Sequence, residues 1–261
     1  AIVLALVVGS LAILSIGGSP VTAYRALLDG MFGSGDRVAG SIGRSTPFIA
    51  ASLSVAFAFR AGLFNIGVEG QLLVGAVTAA WVGTWDGVQD LAGPFLVPLI
   101  VVAGGFAGFL YGAIPGALKA RSGAHEVIVT IMLNGIAALG VGWLIGSLDP
   151  IVLRDPDASA PRTAAISANG RLPEIVDSSP PLHAGILVML VLVCLVWFVL
   201  NRTTFGFEVR TVGANPHAAR YAGMNVARTI LLSMAIAGLL AGLAGAAERH
   251  VRGGAAGGQG R

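Results

Sequence analysis

The stretch that decides the fold is residues 184–200, AGILVMLVLVCLVWFVL, which contains no charged residue. A helix that crosses a bilayer needs about 20 mainly apolar residues, so this run has the character of a membrane span. The whole chain is similar: 55% of its 261 residues are hydrophobic and 11% are charged, against roughly 25% charged residues in an average soluble domain. This composition argues against a soluble enzyme, a nucleic-acid binder or a disordered protein. It predicts an all-α, polytopic bundle of transmembrane helices.

Working outward from 184–200, we find further apolar runs on both sides and predict about seven spans in total. The candidate spans are 1–16, 46–60, 62–84, 94–118, 127–148, 184–200 and 229–247. Because only Arg60 and Ala61 separate 46–60 from 62–84, these two runs are either two short spans or one span and a re-entrant segment.

The basic residues indicate an orientation, since cytoplasmic loops carry an excess of Lys and Arg. Segment 201–228 holds four arginines and one acidic residue, and 119–126 holds two basic residues and one acidic residue. By contrast, 149–183 holds three arginines against five acidic residues, and 85–93 holds two acidic residues and no basic one. We therefore expect the first two segments to be cytoplasmic and the other two external. Alternation also makes 17–45 an external connection, although it contains three arginines.

Glycine spacing predicts how the helices pack, because small residues let helix backbones approach closely in lipid. Four-residue steps relate the glycines in three of the predicted spans. The predicted packing glycines are Gly104, Gly108, Gly112 and Gly116, followed by Gly238 and Gly242, with Gly142 and Gly146 repeating the spacing.

Polar side chains interrupt the apolar runs at membrane depth, where an ionisable group costs about 3 kcal/mol. The stretch 62–71, GLFNIGVEGQ, contains Asn65, Glu69 and Gln71, and a helix would place the first two on one face. Either Glu69 braces a helix end at the inner interface, or the segment is a broken helix that lines a transport path. Asn134 lies inside another apolar run, where an interhelical hydrogen bond is the default interpretation and a substrate contact is secondary.

The basic segment 201–228 contains a short helix signal at 215–223, NPHAARYAG. Asn215 is a good N-cap, Pro216 suits the first helical position, and Gly223 is a helix stop. The helix is either an interfacial anchor at the lipid headgroups or a docking element for a cytoplasmic partner. These properties favour both alternatives equally.

The sequence carries no signal for a metal site or a nucleotide site of its own. Cys194 is the single cysteine, and the sequence has no P-loop and no His, Asp or Glu cluster with metal-ligand spacing. We expect no catalytic residue, no metal and no cofactor in this chain. If ATP drives its activity, another chain must bind and hydrolyse it.

Three collinear blocks resemble the permease subunits of bacterial ABC importers for nucleosides and simple sugars, a branch of the ribose/branched-chain amino acid permease family. The blocks are FRAGLFNIGVEGQ at 59–71, HEVIVTIMLN at 125–134 and TFGFEVRTVGANPHAARYAGMN at 204–225. The resemblance extends over about 44 to 247. It implies a multi-pass protein of the bacterial cytoplasmic membrane that works by alternating access.

The resemblance also implies partners and roles. We expect a second permease subunit that forms a homodimer or a heterodimer with this chain. We also expect a cytoplasmic ATPase that holds ATP and Mg²⁺ and an extracytoplasmic substrate-binding lipoprotein, with no nucleic acid. The residues expected to line the translocation path are Asn65, Glu69, Gln71 and Asn134. The residues expected to contact the ATPase are Arg210, Asn215, Pro216, Arg220 and Tyr221.

We divide the chain into a permease domain, 1–247, and a disordered tail, 248–261. Because the first run begins without an initiator Met and the tail loses the apolar pattern, we expect a fragment that lacks some of the family's spans. Two rival functions remain: a permease for branched-chain amino acids, and an ion-coupled secondary transporter or channel. In the second rival, Glu69 and Glu126 would be the coupling sites.

Overall fold

A computed structural model describes residues 1–164, 166–170, 172–176, 178 and 181–257. For residue 168 and for residues 248–257 it describes the backbone alone. The described part is almost entirely helical. Its helices are α1 (Ile2–Ser15), α2 (Pro20–Phe32), α3 (Gly35–Arg60), α4 (Val68–Gly83), α5 (Gly93–Ser122), α6 (Glu126–Gly146), α7 (Gly185–Arg202), α8 (Thr204–Ala214), α9 (Pro216–Tyr221) and α10 (Val226–Gly257).

The predicted all-α membrane bundle is confirmed, although the number of spans differs from about seven. Within the described residues, five helices are long and apolar enough to cross a bilayer: α3, α5, α6, α7 and the Val226–Ala247 part of α10. Helices α1 and α2 reach the required length only as a pair, and the pair is bent by 119°. Helix α4 is apolar but has only 16 residues.

The segment 17–45, predicted to be an external connection, is largely helical, and two helices begin inside it. Ser19 caps α2, with its Oγ accepting a hydrogen bond from the Thr22 backbone N–H, and Pro20 takes the first helical position. Ser34 caps α3 in the same way, with the Arg37 N–H as donor. As a result α3 begins at Gly35 and not near 46.

The core of the bundle is a contact between the backbones of α5 and α10, with α4 packed against both. A Cβ atom added to Gly112 would lie 2.6 Å from the Met234 carbonyl oxygen, and one added to Gly104 would lie 2.8 Å from that of Gly75. All six glycines of α5 and α10 predicted to pack lie in this contact. We call it the glycine seam: Gly104, Gly108, Gly112, Gly116, Gly238 and Gly242.

Helix α4 and the residues before it make a second passage across the bundle, antiparallel to α3. At one end, Gly62 contacts Gly213 of α8; at the other, Gly83 lies close to Ile100 and Ile166. Because α7 separates α8 from the loop that contains Ile166, these two ends lie on opposite sides. The run 46–84 is therefore two passages, of which the second is interrupted.

The acidic loop between α6 and α7 is ordered where the structure describes it. It contains a 3-10 helix at Ala168–Gly170 and an antiparallel pair, β1 (Glu174–Val176) with β2 (Leu182–His183). The Ser167 hydroxyl donates a 2.8 Å hydrogen bond to the carbonyl oxygen of Gln89, which ties the loop to the α4–α5 connection. The two connections predicted to be external therefore pack together.

Helix α10 overlaps the predicted disordered tail, 248–261. Its backbone is helical to Gly257, and residues 258–261 lie outside the described residues.

Candidate functional site

Between α3 and α4 the chain runs in an irregular segment, residues 61–67, which we call the break. Its residues alternate strictly in burial, with Phe64 and Ile66 exposed and Leu63 and Asn65 buried. The break starts with Gly62 at φ 70°, a conformation that favours glycine. A helix interrupted at membrane depth must satisfy its freed backbone groups from elsewhere in the protein.

Asn65 and Gln71 satisfy part of the break from within. The two side-chain amides form a pair, with 2.9 Å from Asn65 Nδ2 to Gln71 Oε1 and 3.1 Å from Gln71 Nε2 to Asn65 Oδ1. Asn65 Oδ1 also accepts from the Gly67 N–H, and Asn65 Nδ2 reaches Ser54 Oγ of α3. The two amides are buried at 3% and 1% exposure, so they hold the break together and do not line an open path in this conformation.

Asn134 closes the break against α6. Its Oδ1 accepts a 2.9 Å hydrogen bond from the Gly70 N–H, and its Nδ2 donates a 2.9 Å hydrogen bond to the Ile66 carbonyl oxygen. These two interhelical hydrogen bonds connect α6 to the backbone just before α4, at Ile66, and in the first turn of α4, at Gly70.

Glu69 is the polar residue of this group that is exposed. The expected placement of Asn65 and Glu69 on one helical face is wrong, because Asn65 lies in the break and α4 begins at Val68. The carboxylate instead stands alone in the first turn of α4, and no hydrogen bond or ion pair is recorded for it among the described residues.

The depth of Glu69 follows from its neighbours. Asn134 bonds Gly70 from eight residues inside α6, so it lies about 12 Å along that helix from Glu126, at 1.5 Å per residue. Glu126 marks the end of α6 next to the basic connection, where Lys119 Nζ lies 2.8 Å from Glu126 Oε2. Contact with lipid is costly for an ionisable side chain at membrane depth, so the exposed Glu69 is better suited to an aqueous or protein environment.

At the basic end of the bundle, α9 forms as the sequence predicted. Asn215 Oδ1 accepts hydrogen bonds of 3.0 Å from the N–H groups of His217 and Ala218, Pro216 occupies the first position, and Gly223 follows the helix at φ 81°. Ala219 is fully buried against α8 and α10. The helix is thus held on one face and free on the other.

The predicted coupling residues separate into two groups. Arg220 and Tyr221 are exposed, and Tyr221 is 95% exposed. Arg210 points elsewhere: its guanidinium donates to the Leu200 carbonyl oxygen and to Asn201 Oδ1, 3.2 Å away, and so ties α8 to the end of α7. Arg210 therefore stabilises the segment 201–228 through hydrogen bonds within the chain.

The sequence interpretation missed three contributors to this region. Ser54 and Thr130 are fully buried beside the break, where Ser54 receives Asn65 and a Cβ on Gly67 would lie 3.0 Å from the Thr130 side chain. Gly213 lies against Gly62. A small polar residue in an apolar helix carries little signal alone, because it also occurs at ordinary helix contacts.

No group of three or more His, Cys, Asp or Glu side chains within the described residues is placed to hold a metal ion. Cys194 is exposed on α7.

Comparison with known proteins gives the same picture. The chain is 46% identical to the guanosine ABC transporter permease protein NupP of Bacillus subtilis, over 95% of this chain and 70% of that protein. It is 35% identical to the nucleoside permease NupB of Lactococcus lactis, over 94% of this chain and 68% of the relative. With the glucose permease TsgB13 of Haloferax volcanii the identity is 34%, over 94% and 65%. No solved structure gives a significant match.

These relatives confirm the resemblance that the three sequence blocks indicated. The family model described as branched-chain amino acid transport system / permease component matches residues 37–253, from α3 into α10. The match includes the break, the glycine seam and α9, so the chain belongs to this family of multi-pass membrane permeases.

Proposed function

We propose that this chain is the membrane-spanning permease subunit of an ABC importer, which carries nucleosides or simple sugars across the bacterial cytoplasmic membrane by alternating access. The named functions of NupP, NupB and TsgB13 support this substrate range. A branched-chain amino acid permease and an ion-coupled transporter are less favoured, because these relatives are nucleoside and glucose ABC permeases.

The observation that carries the proposal is α9. A helix of six residues cannot be stable in water by itself, yet here it is capped by Asn215 and anchored through Ala219, while Arg220 and Tyr221 are exposed. It lies in the most basic connection of the chain, which the excess of arginine predicts to be cytoplasmic, where ATP is available. These properties suit a coupling helix that binds to an ATPase subunit.

In this proposal the translocation path runs along the break and the start of α4. Glu69 provides an acceptor for the hydroxyl or N–H groups of a polar substrate, and Asn65, Gln71 and Asn134 fix the backbone behind it. Weak contacts are sufficient here, because a substrate-binding lipoprotein would deliver and select the substrate.

The proposal assigns a second permease subunit to the uncovered side of the bundle. Only 11% of the most apolar 18-residue part of α6 is buried, and nothing lies within 4 Å of a Cβ added to Gly142 or Gly146. No helix in the described part of the chain therefore uses this glycine spacing for close contact. ATP and Mg²⁺ would be bound by the ATPase subunits, and this chain would perform no chemistry.

The test is uptake of radiolabelled guanosine, uridine and glucose by proteoliposomes that contain the permease with its ATPase and binding protein. The double variant Arg220→Glu/Tyr221→Ala should lose ATPase co-purification and uptake together. Arg25→Glu, which changes an exposed arginine on α2, should retain both. ATP-independent flux that follows an ion gradient would overturn the proposal.

Within the same assay, Glu69→Gln should reduce uptake while the complex still assembles and hydrolyses ATP. An unchanged uptake rate in this variant would remove Glu69 from the path and leave the ABC assignment intact.

A further inference from the structure

We propose that the backbone contact between Gly62 and Gly213 transmits movement of the α8–α9 loop to the break, and through it to the residues that line the path. This inference rests on the proposed function and assigns to the two glycines a positioning role in transport.

The contact joins two polypeptide backbones with no side chain between them. A Cβ added to Gly62 would lie 3.0 Å from the Gly213 carbonyl oxygen and 3.1 Å from its Cα. A Cβ added to Gly213 would lie closest to the carbonyl oxygen of Arg60, the last residue of α3, and 2.9 Å from the Ala61 carbonyl carbon and from the Gly62 nitrogen. The two backbones are in direct van der Waals contact, so neither backbone can move toward the other without displacing the other.

On the cytoplasmic side the contact is rigidly linked to α9. Gly213 lies in the last turn of α8, two residues before the Asn215 cap. The Asn215 N–H donates to the Thr211 carbonyl oxygen, which fixes the junction between α8 and α9. Val212 and Ala219 are buried in one cluster, so a force on α9 reaches Gly213 through packed atoms.

On the membrane side the contact meets a short segment held at its far end. Gly62 opens the break, and four residues later the Ile66 carbonyl is bound by Asn134 of α6. Between these points Phe64 and Ile66 are exposed, at 56% and 46%. Because Ile66 is held, a displacement of Gly62 must change the backbone conformation of residues 63–66, shortly before Glu69. This change alters which groups face the path.

The first experiment is the variant Gly213→Ala in the full complex with ATPase and binding protein. The added methyl group must push α8 away from the end of α3 and the break, while the residues on the exposed face of α9 keep their identity. We expect ATPase co-purification and ATP hydrolysis as in the parent, and uptake lower by about tenfold, equivalent to about 1.4 kcal/mol of lost coupling. The matched control is Gly30→Ala, a helical glycine of α2 with nothing within 4 Å of an added Cβ.

The outcomes separate the two proposals. A parent complex without ATP-dependent uptake would overturn the proposed function and this inference with it. A parent that transports, with Gly213→Ala transporting equally well per ATP hydrolysed, would overturn this inference alone. Loss of ATPase binding in Gly213→Ala would also contradict it, since the glycine would then shape the docking surface itself.

A second measurement tests the inference if the Gly213→Ala permease does not fold and cannot be purified. In a Cys194→Ser background, Phe64→Cys reports the exposure of the break through its rate of reaction with a maleimide. We expect the rate to differ between the nucleotide-free complex and the complex trapped with ATP. An equal rate in the two states would overturn the inference, because the break would not respond to the ATPase.

Discussion

At the scale of single residues, three amide side chains replace the backbone hydrogen bonds that a regular helix would make. Asn65 and Gln71 pair with each other beside the Gly67 N–H, and Asn134 binds the backbone on both sides of the α4 start. An amide suits this task because it offers a donor and an acceptor without a charge. Glu69, which is ionisable, lies outside this network and is exposed.

The variant Asn134→Ala should destabilise the protein. It removes the donor to the exposed Ile66 carbonyl and the acceptor for the N–H of buried Gly70, and a buried backbone group left unsatisfied costs about 1–3 kcal/mol. The measurement is the thermal unfolding midpoint in mild detergent. Asn169→Ala, which changes an exposed amide in the acidic loop, should change the free energy of unfolding by less than about 0.5 kcal/mol; an equal drop in both variants would contradict the prediction.

The stability of the acidic loop should depend on pH through His183. Burial lowers the pKa of this imidazole, an effect that the nearby Glu174 opposes in part. Its Nδ1 accepts from the Gly185 N–H at 3.1 Å, so the neutral form carries its proton on Nε2, a buried atom with no recorded partner. Strand β2, which contains His183, packs against α3, and the charged groups in that part of α3 are Asp36, Arg37 and Arg44.

Because the pKa of His183 is lower in the folded protein than in the unfolded chain, the unfolded chain binds the additional proton as the pH falls below about 6.5. The free energy of unfolding should therefore be highest above that pH and should fall as the medium becomes more acidic, until the folded protein is protonated too. Thermal unfolding between pH 7.5 and pH 5 measures this effect, and His183→Gln should reduce the slope. An identical slope in the variant would assign the pH dependence to other groups.

At the scale of the elements, the glycine seam shows what spacing alone can predict. The four-residue steps on α5 and α10 identified glycines that lie in a close helix contact, since the period of a helix puts them on one face. The same spacing on α6 gave Gly142 and Gly146, where an added Cβ would have no atom within 4 Å in the described part of the chain. Spacing indicates that a face is suited to close packing; which helix covers that face depends on the whole bundle.

The seam should tolerate no added carbon atom at its centre. In Gly112→Ala the new Cβ would lie 2.6 Å from the Met234 carbonyl oxygen and 2.8 Å from Gly238 Cα, so α5 and α10 would have to separate. Overpacking of this kind costs about 1–3 kcal/mol. Thermal unfolding in detergent is the measurement, and Gly140→Ala, with open space around the added Cβ, is the control. Equal stability of Gly112→Ala and the parent would show that the seam is looser than described.

At the scale of the whole molecule, the sequence predicted the helical passages better than their interruptions. Composition and run length identified α3, α5, α6, α7 and α10. A spanning helix makes its backbone hydrogen bonds within its own segment, so a long apolar run is enough to predict it. A broken helix was one of two interpretations of 62–71, yet the position of Asn65 outside α4 depends on its contacts with Gln71 and Ser54, which only the folded chain creates. The bend between α1 and α2 likewise has no periodic signal.

The two ends of the bundle should be accessible from opposite sides of the membrane. The basic connections 119–126 and 201–228 meet at one end, where Arg202 also lies 5.9 Å from the centre of the Trp197 ring, an arrangement that suits the headgroup region. The acidic connections pack together at the other end through Ser167 and Gln89. Helix α7, with 18 residues and no charge before Arg202, is the passage between the two ends.

In a Cys194→Ser background, single cysteines at Ser159 and Tyr221 test this arrangement directly, because both positions are exposed. A membrane-impermeant maleimide added to intact cells should label Ser159→Cys at once and Tyr221→Cys only after the membrane is permeabilised. The Cys194→Ser parent should remain unlabelled in both conditions. Labelling of position 221 in intact cells would place α9 outside, where ATP is not available, and a coupling helix would then have no ATPase to bind. The assignment of sides thus decides whether the free face of α9 can have the role that its capping and exposure suggest.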